Sequence, residues 1–427
     1  MMMGSFSLLK LCYTISMSFL SKIIKSYSDN KEPDYILFFF ASMLIITSIV
    51  FSYSLSIYTV DYFDYSQFHF FIRQFFVGVL SILIMWSLSQ IKPTILFEQF
   101  KLGWIFFGVF TFLMIIMNFL PSSFVTASGG ANRWIRLPGF SLAPVEFFKI
   151  GFIYFLSNSF HKKLINLHKV SFKEELKLLI PYFLVFGFFV ILIAVLQKDL
   201  GQVVLLGSIL FIMLIFANRS VKVFLSLIGV SFIGVVLLIF FFPHRIKRIK
   251  SWWSSVQDSI LGIFPDNIAD ALRVKEFAEP YQVTNSLHAM HNGGLFGTGL
   301  SNGELKLGFL SEVHTDFVLA GITEELGLFG LVIILLMLFI VIFRIFRISR
   351  RVKDQKYHLF SLGIALMISI AFLINSYGIS GIIPIKGIAV PFLSYGGSSI
   401  LALGFAMGMV LSISRDIPRI KNISKNK

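Results

Sequence analysis

Glu146 and Lys149 stand three residues apart inside an apolar stretch, which places a carboxylate and an ammonium on one helical face. Ionisable side chains within a membrane span are costly; they either serve function or pair to fix helix packing. Upstream, the segment SGGANRWIRLPGFSLAPVEFFK (128–149) adds two cations, Arg133 and Arg136, among glycines suited to tight turns. QKDLGQ (197–202) places Lys198 and Asp199 in a short turn, either solvated or functional. Between Pro243 and Glu312 a polar insert begins basic (His244, Arg245, Lys247, Arg248, Lys250) and continues with Asp266, Asp270, Glu276 and Glu279. His314 and Asp316 follow at the mouth of the next apolar run, suited to substrate contact or to a structural hydrogen bond. Glu324 and Glu325 lie deeper in that run, where carboxylates must be paired or protonated; proton coupling and a bond to a neighbouring helix are both open. GISGIIPIKGIAVPFLSYGGSS (378–399) is broken by Pro384, Pro391 and glycines, and such backbone at membrane depth lines a cavity or is buried in protein. Lys386 there suits an anion. Clustered cations on what is read below as the outer side point to an anionic substrate, because the positive-inside tendency disfavours them otherwise.

The elements that must position these groups are membrane helices. The 427 residues are 56% hydrophobic and only 14% charged, against about 25% in soluble domains. Apolar runs of about twenty residues indicate helices rather than the shorter alternating strands of a barrel. Ten spans are expected, at roughly 35–58, 69–91, 102–121, 143–160, 178–196, 202–217, 221–243, 313–343, 358–378 and 396–414. The basic segments 161–177, 344–357 and the tail after 414 then share the inner side, with both termini cytoplasmic, and 122–142, 244–312 and 379–395 share the outer side. This is an all-α polytopic protein: a cytoplasmic tail 1–34, one membrane domain 35–414 with a large extracytoplasmic loop 244–312 between helices 7 and 8, and a basic tail 415–427. Met1–Pro33 lacks the compact apolar core of a signal peptide. The net charge of +15 lies mostly in short loops beside spans, so it reflects topology rather than nucleic-acid binding. A lone cysteine, Cys12, excludes an intrachain disulfide and a thiolate metal cluster. The Gly-rich run near 293–303 lacks the Gly-Lys-Ser/Thr ending of a nucleotide loop, and His288 with His291 makes only a weak metal pair.

GANRWI with a downstream E-x-x-K, the YQ…SL…GG-x-x-G-x-GL run, HTDF…EELG-x-x-G and PIKGIAVPFLSYGGSS, in that order from about 129 to 399, resemble the SEDS family. The resemblance implies a ten-span peptidoglycan glycosyltransferase that polymerises lipid II at the outer face of the cytoplasmic (inner) membrane. Lys386-Gly387 and the Lys-bearing N-terminal tail look more like the division-type than the elongation-type members, which implies septal wall synthesis. A lipid II flippase is the alternative from another class; an ordinary secondary transporter would show broken helices in both halves. Glycosyl transfer needs a base for the acceptor hydroxyl and cations for the departing diphosphate. Arg133, Arg136, Lys149, Arg248 and Lys386 are the cations expected around the diphosphate, with Lys198, Tyr281, Gln282, His314, Asp316 and Ser394 as further substrate contacts. Family members carry an essential aspartate a few residues before Gly-Tyr-Gln, whereas KEFAEP precedes Tyr281-Gln282 here. That leaves Glu276, slightly ahead of Glu279, as the expected base, with Asp270 and Asp266 behind them. The resemblance carries a divalent-cation dependence, although no ligand set stands out, and it implies a class B penicillin-binding transpeptidase and divisome membrane proteins as partners.

Overall fold

Apolar runs bounded by turn residues become helices, because a peptide group surrounded by hydrocarbon has only its own chain to bond. The computed structural model describes residues 32–121, 124–128, 131–137, 140–163, 171–217, 243–274, 281–384 and 387–417, with isolated positions between 229 and 240. The N-terminal tail to 31, Gly129-Gly130, Lys169, most of the expected seventh span, Glu276, Glu279, Lys386 and the residues after 417 lie outside the described residues.

In chain order the elements are α1 (Tyr35–Ser54), α2 (Ile57–Tyr62), α3 (His69–Ser89), a π turn (Ile95–Gln99) and α4 (Leu102–Ile116). Strands β1 (Val125–Ser128), β2 (Ala131–Leu137) and β3 (Phe140–Leu142) precede α5 (Pro144–Lys163), α6 (Phe172–Val190) and α7 (Leu200–Phe216). The insert holds α8 (Pro243–Leu261), α9 (Asp266–Leu272) and α10 (Tyr281–Gly293). The chain then forms α11 (Val318–Arg351), α12 (Gln355–Ile379) and α13 (Gly397–Ser414). Among the described residues, six helices are long and apolar enough to cross a membrane: α1, α3, α6 with its π extension to Leu196, α11, α12 and α13. α4 and α7 are shorter apolar helices, and α5 is buried along most of its length. The protein is a multi-pass, all-α membrane protein.

Two segments expected on the outer side differ from a plain loop. β1, β2 and β3 form a three-stranded antiparallel meander, with Val125 opposite Ile135 and Ile135 opposite Leu142. Met117 packs with Val125 and Ile135, which ties the meander to the end of α4. The polar insert is largely helical rather than extended loop.

Close helix crossings explain several glycines. A Cβ at Gly404 would lie 2.3 Å from Ser81 Oγ, and one at Gly408 2.8 Å from Leu88. This small-xxx-small pair lets α13 approach α3 closely enough for Ser81 Oγ to donate to Ile400 O at 2.8 Å.

α11 is two helices end to end. Gly327 (φ 69°, ψ −174°) breaks it in a conformation open only to glycine. The interruption is filled by the turn after α10: Glu324 O accepts from Thr298 N at 2.9 Å and Glu325 O from Gly299 N at 3.0 Å. Leu328 N and Phe329 N donate to Gly294 O and Leu295 O in return, at 2.9 and 3.0 Å. Two carbonyls and two amides at the break are therefore re-bonded.

The two buried carboxylates secure the same joint. Glu324 Oε1 accepts from Glu304 N (2.8 Å), Leu305 N (3.1 Å) and Asn292 Nδ2 (3.0 Å). Glu325 pairs with Lys306 at 2.6 Å and accepts from Ser54 Oγ at 2.5 Å. Of the two readings left open for these residues, a bond to neighbouring elements is the one with partners in place. Removing one member of such a pair strands a buried charge at a cost of about 3–5 kcal/mol, whereas replacing both by apolar groups can be neutral. Lys306→Met should accordingly lower the thermal midpoint in detergent sharply, and Lys306→Met with Glu325→Leu should regain most of it. Equal loss in the single and double variants would contradict the pairing.

Candidate functional site

A cavity of about 580 Å³ opens where α3, the meander, the start of α5, the turn before α7, the turn before α11 and the 387–399 segment converge. Its polar lining includes Arg73 and Gln74 from α3, Arg133 from β2, Glu146 from α5, Asp199 and Gln202 around the start of α7, and Glu312 and Asp316.

One wall is a connected polar chain. Lys198, with φ 54°, turns the backbone after the π extension, and Asp199 then caps α7 by accepting from Gln202 N at 3.3 Å. Arg133 Nε lies 3.3 Å from Asp199 Oδ2, while Arg133 Nη2 donates to Lys198 O at 3.2 Å. Gln202 Nε2 donates to Glu146 Oε1 at 3.4 Å, and Glu146 Oε2 pairs with Lys149 at 2.8 Å. Burial pushes the Asp199 carboxyl above the usual range, an effect that Arg133 opposes.

Asp316 shares this cavity, set by two clamped segments. The Glu312 carbonyl accepts from Asp316 N at 3.1 Å, and Asn375 Nδ2 donates to both Asp316 O (2.7 Å) and Ile388 O (2.8 Å). Ser394 Oγ donates to Thr315 O at 2.7 Å and accepts from Val390 N at 2.7 Å. These bonds join the turn before α11 to the broken segment before α13. A Cβ on Gly387 would sit 3.0 Å from Asp316 Oδ2, so the glycine keeps the carboxylate uncovered. Burial, then the neighbouring Glu312 charge, push Asp316 up to about 6; Arg133 pulls the other way and Asp199 adds to the rise. His314 packs its ring between Phe70 (4.9 Å) and Tyr395 (5.6 Å), and burial lowers its pKa, which favours the neutral imidazole. Arg73 hydrogen-bonds Tyr395, and among the described residues no carboxylate forms an ion pair with it.

The sequence candidates divide accordingly. Arg133, His314 and Asp316 line the cavity, and Lys149 reaches it through Glu146. Lys198 contributes its carbonyl while its side chain is exposed. Arg136, Arg248, Asp270 and Tyr281 are exposed away from the cavity lining, and Gln282 donates to Ser311 Oγ at 2.7 Å. Ser394 is buried in its backbone bonds. Glu276, Glu279 and Lys386, and the Asp266 side chain, lie outside the described residues. Among the described residues the insert supplies only its last member, Glu312, to the cavity. Sequence reasoning missed Arg73, Glu312 and Gln202, and left Asp199 open between a solvated and a functional turn charge. A lone arginine near the end of an apolar run was the signal available for Arg73. No group of three or more His, Cys, Asp or Glu among the described residues is placed to hold a metal ion.

The family model described as "Cell cycle protein", which takes in FtsW, RodA and SpoVE, matches residues 34–418. A probable peptidoglycan glycosyltransferase FtsW of Helicobacter pylori is 50% identical over 380 residues, covering 89% of this chain and 97% of the relative. The stage V sporulation protein E of Bacillus subtilis is 31% identical over 388 residues, covering 90% and 97%. Among solved structures, a chain of a peptidoglycan synthase complex that coordinates polymerization and crosslinking aligns with a TM-score of 0.63 at 20% identity, covering 90% of this chain and 98% of that one. The rod shape determining protein RodA of Thermus thermophilus aligns at 0.57 and 20% identity, covering 91% and 98%. The same fold, the extent of the family match and these identities have one conclusion: the chain belongs to the FtsW/RodA/SpoVE family of cell cycle proteins.

Proposed function

We propose that this chain is a peptidoglycan glycosyltransferase that polymerises lipid II at the outer face of the cytoplasmic membrane during division. The observation that carries the reading is the placement of Asp316, an uncovered carboxylate with a raised pKa, in one cavity with Arg73 and Arg133. The name of the Helicobacter pylori relative, matched over 97% of its length, supports the reaction class.

In the proposed step the acceptor sugar hydroxyl oxygen bonds to the anomeric carbon of the donor. The bond from that carbon to the prenyl diphosphate breaks, its electron pair stays on the diphosphate, and the hydroxyl proton passes to a carboxylate. Asp316 suits that role among the described residues, because a base with a pKa of about 6 is ionised at neutral pH yet basic enough to take a proton. Arg73, with no carboxylate partner among the described residues, and Arg133 hold the leaving diphosphate; such cations stabilise charge where it develops. Asp199 fixes Arg133, and Gln202 links that pair to Glu146 and Lys149. The described donor set offers a divalent cation no three-ligand site, so no step is assigned to one. The reading extends to a class B penicillin-binding transpeptidase and divisome membrane proteins as partners, to a septal location and to cytoplasmic termini. The fold shared with a chain of a synthase complex that coordinates polymerization and crosslinking supports the transpeptidase partner.

The test is polymerisation of purified lipid II by the chain together with its transpeptidase partner. Asp316→Asn should lower the rate by about 100-fold or more, the usual share of a general base. Glu276→Ala and Glu279→Ala, run beside it, should keep the rate; the reverse pattern would move the base into the insert. A wild type that translocates lipid II across vesicles without forming glycan would overturn the whole reading. The pH profile is a second test. Asp316 is the proton acceptor only above its pKa of about 6, so the rate should rise through pH 6 and level off above 7. An Arg73→Gln variant should lose more rate than Arg73→Lys, since the glutamine removes the charge that faces the leaving group.

A further inference from the structure

The segment between α1 and α3 carries a row of aromatic rings that runs from the surface into the cavity. Tyr58 stacks on Tyr62 with centroids 5.7 Å apart, Tyr62 meets Phe63 edge-on at 5.0 Å, and Phe63 stacks on Tyr65 at 5.9 Å. Tyr65 in turn lies on His69 at 4.3 Å with the planes only 8° apart, and both of these rings line the cavity. Tyr62 and Phe63 are 68% and 58% exposed. Apolar rings at a membrane surface commonly anchor to lipid headgroups. Here the charge opposes an anionic headgroup layer: Asp61 and Asp64 are exposed between the rings, and residues 55–72 contain no Lys or Arg.

Aromatic faces beside carboxylates make a recognised chemistry for carbohydrate. The axial C–H face of a pyranose packs on a ring, while its hydroxyls donate to carboxylate oxygens. From this geometry, and resting on the glycosyltransferase reading above, we infer that the Tyr62–Phe63–Tyr65–His69 row is a docking track for the glycan strand. The row ends in the cavity that holds Asp316, so a strand lying on it brings one terminus to the reacting centre and leads the rest away over the surface. Such a track sets how long a strand is held between successive additions, and hence its final length. It does not set the rate at which one bond forms.

Tyr62 and Phe63 lie outside the cavity lining, so they isolate this role. With purified lipid II and the chain in complex with its transpeptidase partner, Tyr62→Ala/Phe63→Ala should shorten the glycan several-fold on gels, with the initial rate of lipid II consumption within about two-fold of wild type. Tyr62→Phe keeps the ring face and should keep the length. A lipid-free, uncrosslinked glycan octasaccharide should give saturation-transfer signals with the wild type and much weaker ones with the double alanine variant. Unchanged strand length, or an unchanged octasaccharide signal in the double variant, overturns the track. Equal shortening by Tyr62→Phe also overturns it, because stacking would then not be the interaction involved. Failure of the wild type to polymerise is a different result, which rejects the underlying reaction.

Discussion

A peptide group that leaves a helix inside an apolar bundle must find another protein group, and this requirement shapes the site more than any single charge does. At Gly327 the helix is opened and its carbonyls and amides are taken up by the turn after α10. Before α13 the chain runs without helix from Gly387 to Val390, and Asn375 and Ser394 supply the missing bonds from side chains. Asp316 sits between these two repairs. Its backbone bonds to Glu312 and Asn375, which leaves the carboxylate free to face the cavity rather than to satisfy its own main chain.

Electrostatics then divides the charged groups into two kinds. Glu324 and Glu325 are consumed by backbone amides, an amide side chain, a serine and a lysine, and they hold structure together. The cavity groups are less completely matched. Arg133 is shared between Asp199 and a carbonyl, and Arg73 hydrogen-bonds Tyr395 without an ion-paired carboxylate among the described residues. Burial and then the neighbouring Glu312 charge raise the Asp316 pKa, and no cation is bonded directly to its carboxylate among the described residues. Unmatched charge of both signs in one enclosed space is what an anionic substrate with a hydroxyl to deprotonate requires.

The membrane architecture was legible because apolar runs and loop charge are first-order properties of the chain, and four motif blocks in order carried the family. The pairing of Glu146 with Lys149 could be read from their spacing on one face. The meander could not, since its strands are short and separated by glycine and proline rather than by a long alternating pattern. The insert's helices were hidden by polarity: α8 presents cations along a chain that composition reads as loop. Whether Asp199 was a solvated or a functional turn charge stayed open, because nothing in six residues reveals that Arg133, far away in sequence, folds over it. The focus on carboxylates in the insert followed the family's motif spacing, whereas the described cavity draws its carboxylates from three separate places in the chain.

The break at Gly327 has a mechanical meaning. A continuous helix from Val318 to Arg351 would be a stiff rod, and a twist at its Arg344 end, which is bound to Asp34 at 2.9 Å, would reach Asp316. An interrupted rod transmits little torque. Its upper section is instead riveted to the stretch from Gly293 to Lys306 through amides, carbonyls and a buried ion pair, so Asp316 takes its bearing from the insert and is insulated from the far end of its own helix.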